Sequence, residues 1–109
     1  MRLFSIAIFG LALAASSSAS ALVADVAQGE KIARRWCAAC HVVSSDQKQA
    51  SADVAPFADA ARHKTNAELA AFLTDPHPKM PDMSLTREEI ADVVAYMRTL
   101  APEGPTQAK

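Results

Sequence analysis

Two cysteines and a histidine fall within the stretch Arg35-Trp36-Cys37-Ala38-Ala39-Cys40-His41, and the chain of 109 residues has no other cysteine. Four chemistries fit that group. As W-C-x-x-C it is a dithiol able to cycle with a disulfide. As a bare pair it can close a structural disulfide. With His63 and His77 it offers four zinc donors, and as C-x-x-C-H it has the spacing of covalent haem attachment.

The neighbouring sequence separates these readings. A reactive dithiol of the thioredoxin type sits at the start of a helix that follows a core strand, where the helix N-terminus lowers the thiol pKa. Here a helical pattern precedes the cysteines, and only 15 residues lie between them and the expected mature start, too few for the strands of such a fold. A disulfide across two intervening residues closes a very small loop and leaves His41 without a role. The zinc spacing does not match the usual fingers. Haem attachment uses all three residues: two thiols add to the two vinyl groups along one ring edge, and the adjacent His41 becomes the proximal iron ligand.

The start of the chain fits export. Arg2 is a one-charge n-region, Leu3 to Ala15 is an uncharged apolar run of 13 residues, and small and polar residues follow. That pattern is a signal peptide, and the run is short of the roughly 20 residues a span requires. Ala19-Ser20-Ala21 fits the small-x-small cleavage rule, which places the signal peptide at 1–21 and the mature start at Leu22. Cleavage after Ala24 and an uncleaved anchor are the competing readings. The 88 remaining residues form one small domain, expected over 22–101 with a flexible tail at 102–109. They hold 21 large apolar side chains but 18 alanines, so their core is thin and a large apolar cofactor is expected to fill it. The mature charge is −2, from 10 Lys and Arg against 12 Asp and Glu, with no basic stripe. Nucleic acid is not an expected partner.

The elements that would position the cysteines are helical. Asp25 can cap a first helix running to about Cys37, with Gly29, Ile32, Ala33 and Trp36 at helical spacing on one side. Gly29 weakens a helix, so close approach of another backbone is expected there. Val42 to Ala55 has no sustained period and reads as a long loop. Pro56 suits the first turn of a short helix to Arg62. Thr65 with Glu68, and Thr86 with Glu89, are capping boxes announcing two further helices, and Leu85 can staple onto Ile90. Ile90, Val93, Val94, Met97 and Leu100 form an apolar stripe that Pro102 ends. Between these helices, three prolines in Pro76-His77-Pro78-Lys79-Met80-Pro81 demand an extended or turning segment.

Taken together, the mature chain resembles the small class I bacterial cytochromes c. The resemblance rests on a Gly-containing N-terminal helix running into C-x-x-C-H (Gly29 to His41), on Met80-Pro81 before the last helix, and on the D-x-x-x-Y-like stretch from Asp92 to Tyr96. It implies an all-α cytochrome c fold, three to four short helices wrapped around one covalently bound haem c with its iron, and terminal helices that cross at Gly29. It also implies His41 and Met80 as axial iron ligands, Cys37 and Cys40 as thioether links, and a proline, here Pro56, lending its carbonyl to the proximal histidine ring. The family's usual glycine before that proline is Ala55 here, and no Gly-rich segment follows.

Met83 and His77 compete with Met80 for the sixth position. Met83 reads as packing beside Leu85, and His77 as a solvated or haem-edge residue; a bis-His site would lower the potential. Met97 reads as core. Lys31, Arg34, Arg35 and Lys79 are candidates for a cationic rim that steers an anionic partner. The expected function is single-electron transfer between transient redox partners in the periplasm, by a protein that is neither an enzyme nor an integral membrane protein once processed. Alternatives are a cytochrome subunit acting as dedicated acceptor of a periplasmic dehydrogenase, and an open-site haem sensor.

Overall fold

The computed structural model describes residues 23–76 and 79–106. The expected signal peptide, its cleavage site, and His77 lie outside the described residues. Within them the chain forms four α-helices, α1 (Val26–Ile32), α2 (Phe57–His63), α3 (Asn66–Thr74) and α4 (Arg87–Leu100), with a π turn at Ala33–Cys37 and no strand. This is the all-helical architecture expected.

Local chemistry accounts for the helix ends. The Asp25 carboxylate accepts from the Gln28 N–H and caps α1, as its position indicated. Both capping boxes form: Thr65 and Glu68 open α3, Thr86 and Glu89 open α4, and in each the hydroxyl and carboxylate take up the other residue's backbone N–H. Pro56 sits one residue earlier than expected, at the N-cap of α2, where its carbonyl accepts the first helical bond from Ala60 (3.0 Å). Ser84, just before α4, has φ of 52°, a left-handed conformation held by its N–H donating to the Asp82 carboxylate (2.8 Å).

The fold is organised by α4. Its buried residues Ile90, Val93, Val94, Tyr96 and Met97 face the other three helices. At the crossing with α1 the backbones nearly touch: a Cβ on Gly29 would lie 2.0 Å from the Asp92 carbonyl oxygen. Only hydrogen fits there, which is why the glycine's helical cost is tolerated. Asp92 also accepts the Asp25 N–H through its side chain (2.7 Å), so one residue of α4 holds both the start and the middle of α1.

The half-buried Arg98 guanidinium joins the C-terminal ends of α2 and α4. It donates to the carbonyls of Ala61 (2.6 Å), Lys64 (2.8 Å) and Ala101 (3.3 Å) and to Asn66 Oδ1 (3.0 Å). Residues 102–106, which have nothing apolar to bury, are nonetheless tied to α2 and α3 by polar groups. Glu103 pairs with Arg62 (3.1 Å), and the Thr106 carbonyl accepts from Asn66 (3.3 Å). The core is as thin as the alanine content implies: the largest side chains fully withdrawn from solvent are Val43 and Val93.

Replacing Gly29 with Ala should therefore push α1 off α4. The expected loss is about 1–3 kcal/mol or more, as in other overpacked cores, read as a lower unfolding midpoint of the haem-loaded protein. Thr86→Ala, which removes only a cap, should cost about 1 kcal/mol.

Candidate functional site

The turn from α1 into the C-x-x-C-H segment is where local geometry departs from a simple helix. The Ala38 N–H donates to the Ala33 carbonyl (3.1 Å), five residues back, which marks the wider π turn. Each residue of such a turn rotates the chain less than in an α-helix. Cys37 is thereby brought onto the buried face with Gly29, Ile32 and Ala33. Trp36, expected on that face from α-helical spacing, is instead 53% exposed. The α-helical period failed because the helix changes pitch one turn before the cysteines.

The segment then closes tightly on itself. The Cys37 carbonyl accepts from both Cys40 (3.1 Å) and His41 (2.8 Å), which folds the two thiols and the imidazole into one turn. The two cysteines are not paired with each other as a disulfide; Cys37 is buried and Cys40 exposed. Burial, with Cys40 adding to it, pushes the Cys37 thiol up to about 11.

His41 Nδ1 lies 2.7 Å from the Ala55 carbonyl oxygen. A carbonyl only accepts, so this nitrogen carries the proton, and in the neutral ring Nε2 keeps the lone pair. Phe57 packs against the imidazole with ring centroids 5.5 Å apart. The expectation that Pro56 would supply this carbonyl is corrected: the Pro56 oxygen is taken by the first hydrogen bond of α2, and the preceding peptide, Ala55, meets the ring.

These residues line one cavity of about 450 Å³ between the C-x-x-C-H turn, α2, α3 and the 79–83 segment. That volume is within the range of cofactor sites, roughly 300–1,000 Å³. Cys37, Cys40, His41, Met80 and Met83 all contribute to its wall, along with apolar residues such as Phe57, Leu69 and Met97. A thin core beside a large apolar cavity, with soft sulfur donors and an imidazole on its wall, fits a large apolar group carrying a transition metal. Zinc fits less well, because among the described residues no cluster of three His, Cys, Asp or Glu side chains is placed to hold an ion. His63 lies on α2, exposed, with its Nδ1 on the Asp59 carbonyl (2.9 Å).

Exposed aromatics and cations mark the cavity mouth. Arg35 lies 5.0 Å over the Trp36 ring, and Lys64 lies 4.8 Å over that of Phe72, which is 44% exposed. Lys79 also lines the cavity. Arg34 does not join such a rim, because its guanidinium is engaged by Glu30 and Asp46, each at 3.1 Å.

Three groups behind the site hold its backbone in ways that the sequence reading assigned to none of them. Gln47 hydrogen-bonds across the turn, the Ser51 N–H and hydroxyl both donate to the Ala39 carbonyl, and the buried Tyr96 hydroxyl of α4 donates to the Val43 carbonyl (2.5 Å). Tyr96 carried a signal in D-x-x-x-Y. Gln47 and Ser51, in a stretch of small polar residues, carried none.

Comparison with known proteins shows the family. A family model described as cytochrome c oxidase, cbb3-type, subunit III matches residues 24–97. Cytochrome c-552 of Bradyrhizobium diazoefficiens is 53% identical over 90 residues, covering 81% of this chain and 86% of that protein. The cytochrome bc1 complex cytochrome c subunit of Corynebacterium diphtheriae is 36% identical over 87 residues, which cover 77% of this chain and 30% of that protein. No solved structure matches.

The Asp46–Arg34 pair gives the loop behind the cysteines a pH dependence. Arg34 holds the Asp46 carboxyl down, from its ordinary 3.8 to about 2. The folded state thus binds this proton more weakly than the unfolded state, so the pair stabilises above about 3.8 and loses its effect as pH falls through about 2. Unfolding measured across that window should show wild type ahead of Asp46→Asn at neutral pH and level with it at the acid end. Salt should shrink the gap, since both groups are exposed.

Proposed function

Because the chain belongs to the cytochrome c family, whose members are electron-transfer proteins carrying covalently bound haem c and its iron, we propose that this monohaem cytochrome passes single electrons between protein partners in the periplasm. In this reading Cys37 and Cys40 would carry the two thioether links, and His41 through Nε2 and Met80 through its thioether would hold the iron. The observation that carries it is the convergence of these four side chains on the wall of one apolar cavity.

When bound, the haem supplies an Fe(II)/Fe(III) couple. The chain's own residues set its properties. The Ala55 carbonyl holds the His41 proton on Nδ1, which fixes the tautomer and leaves Nε2 free to ligate. A soft thioether from Met80 would favour Fe(II) and raise the potential, and an iron held by both His41 and Met80 would keep no position for substrate. Met83 and Met97 are less suited to the sixth position. Met97 is buried on α4, and Met83, like Leu85, is packed against the core, whereas Met80 is not part of that cluster. The apolar wall keeps water from the metal, and the cations beside Trp36 and Phe72 suit an approach by anionic partners.

A second reading is a cytochrome domain resident in a larger complex. It is favoured by the relative named as a bc1 complex subunit, of which this chain spans 30%. Stoichiometric co-purification with a redox enzyme would support the second reading, and isolation as a free monomer the first.

Mass spectrometry of protein from a host able to mature cytochromes should show polypeptide plus one haem surviving denaturation; bare polypeptide would refute the thioether assignment. In the ferric protein, Met80→Ala should abolish the weak long-wavelength charge-transfer band that reports Fe–S ligation in this family, admit carbon monoxide in the ferrous state, and lower the potential. Met83→Ala should keep the band. The reverse pattern would transfer the ligand role to Met83.

A further inference from the structure

The loop after His41 contains one side chain that serves four backbone groups. Gln47 Oε1 accepts from the Val43 N–H (3.0 Å), while Nε2 donates to the carbonyls of His41 (2.8 Å), Ala38 (3.0 Å) and, at longer range, Gln49 (3.3 Å). The amide orientation is forced. Turned over, the nitrogen would face the Val43 donor and the oxygen would face three carbonyls. Gln47 is half-buried, so little water is at hand to replace these bonds.

We propose that Gln47 is a positioning residue for the His41 imidazole, and through it sets the strength of the axial bond. The inference rests on the reading of His41 as the iron ligand. His41 is held at two points: its ring on the Ala55 carbonyl and its main-chain carbonyl on Gln47. The second point fixes the backbone from which the ring projects, so slack at Gln47 becomes misalignment at Nδ1–H···O. Val43, the other residue Gln47 grips, is anchored to α4 by the Tyr96 hydroxyl. A continuous chain of bonds therefore runs from α4 through Val43 and Gln47 to the histidine. Carbonyl acceptance at Nδ1 makes the imidazole a better donor to a metal through Nε2, so weakening it lessens electron donation and raises the reduction potential.

Two variants separate this from a role in loop folding alone. Gln47→Glu keeps the shape and the acceptor for Val43 but loses both donated protons; Gln47→Met keeps the length and loses every polar contact. In haem-loaded protein with the thioether links intact by mass, both should speed hydrogen exchange of the His41 ring N–H by about tenfold or more, and the charge-neutral Gln47→Met should raise the potential, while the carboxylate added by Gln47→Glu acts on the potential in the opposite sense. Ser51→Ala, which touches Ala39 and not His41, should change neither. Lower thermal stability with ring exchange and potential unchanged would overturn the proposal. If neither variant folds, the wild type still decides. The Gln47 side-chain amide protons should exchange about tenfold more slowly than those of exposed Gln28, and equal rates would overturn the proposal. Should the His41 ring resonances of the ferric wild type show no paramagnetic shift, His41 is not the ligand and both readings fall. That failure is distinguishable, because protection of the Gln47 amide does not depend on the iron.

Discussion

The approach of two backbones at Gly29 is the constraint from which the rest follows. With the Asp92 carbonyl occupying the space of a side chain, α1 and α4 cross at a separation that few residue pairs allow. That closeness lets Asp92 reach the Asp25 N–H and brings Tyr96, one turn further along α4, within reach of the Val43 carbonyl beyond the cysteines. The start of α1 and the end of the C-x-x-C-H segment are therefore registered against the same helix. Separating the helices would loosen the segment at both ends, although neither contact touches the cavity.

The same arrangement explains how so small a domain can leave a large cavity. Alanines at 33, 61 and 101 are fully buried where longer side chains would close the interior. Burial at about 25 cal/mol per Å² of apolar surface gives such a core little stability by itself. The haem that members of this family carry would supply apolar surface that such a core lacks, so loss of the cofactor is expected to lower the stability of the fold. The covalent attachment that defines c-type cytochromes means this contribution is not lost by dissociation.

What could be read in advance divides along physical lines. Helix starts were legible because capping boxes are local devices, complete within four residues, and Thr65–Glu68 and Thr86–Glu89 behave as written. Gly29 was legible because a glycine in a helix requires a reason. Trp36 was misplaced because the π turn is a change of pitch that no period detects beforehand. The carbonyl partner of His41 was displaced by one residue, since whether Pro56 or Ala55 faces the ring depends on where α2 begins. Gln47 was invisible. A polar side chain in a loop announces nothing until the loop's path brings four backbone groups around it.

The two sides of the cavity are held unequally, and this bears on how such a site would open. On the histidine side, Ala38, Ala39, His41 and Val43 are each fixed by a hydrogen bond from Gln47, Ser51 or Tyr96, and the ring itself rests on Ala55. Among the described residues of the methionine side, 79–86, the side-chain bonds are the turn from Ser84 to Asp82 and the Thr86 cap, both close to α4 and neither at Met80. Pro81 restricts the backbone there but supplies no donor. Local opening proceeds from the segments with fewest bonds, so the proposed Met80 bond is the one that should yield first, with the cysteines and His41 still in place.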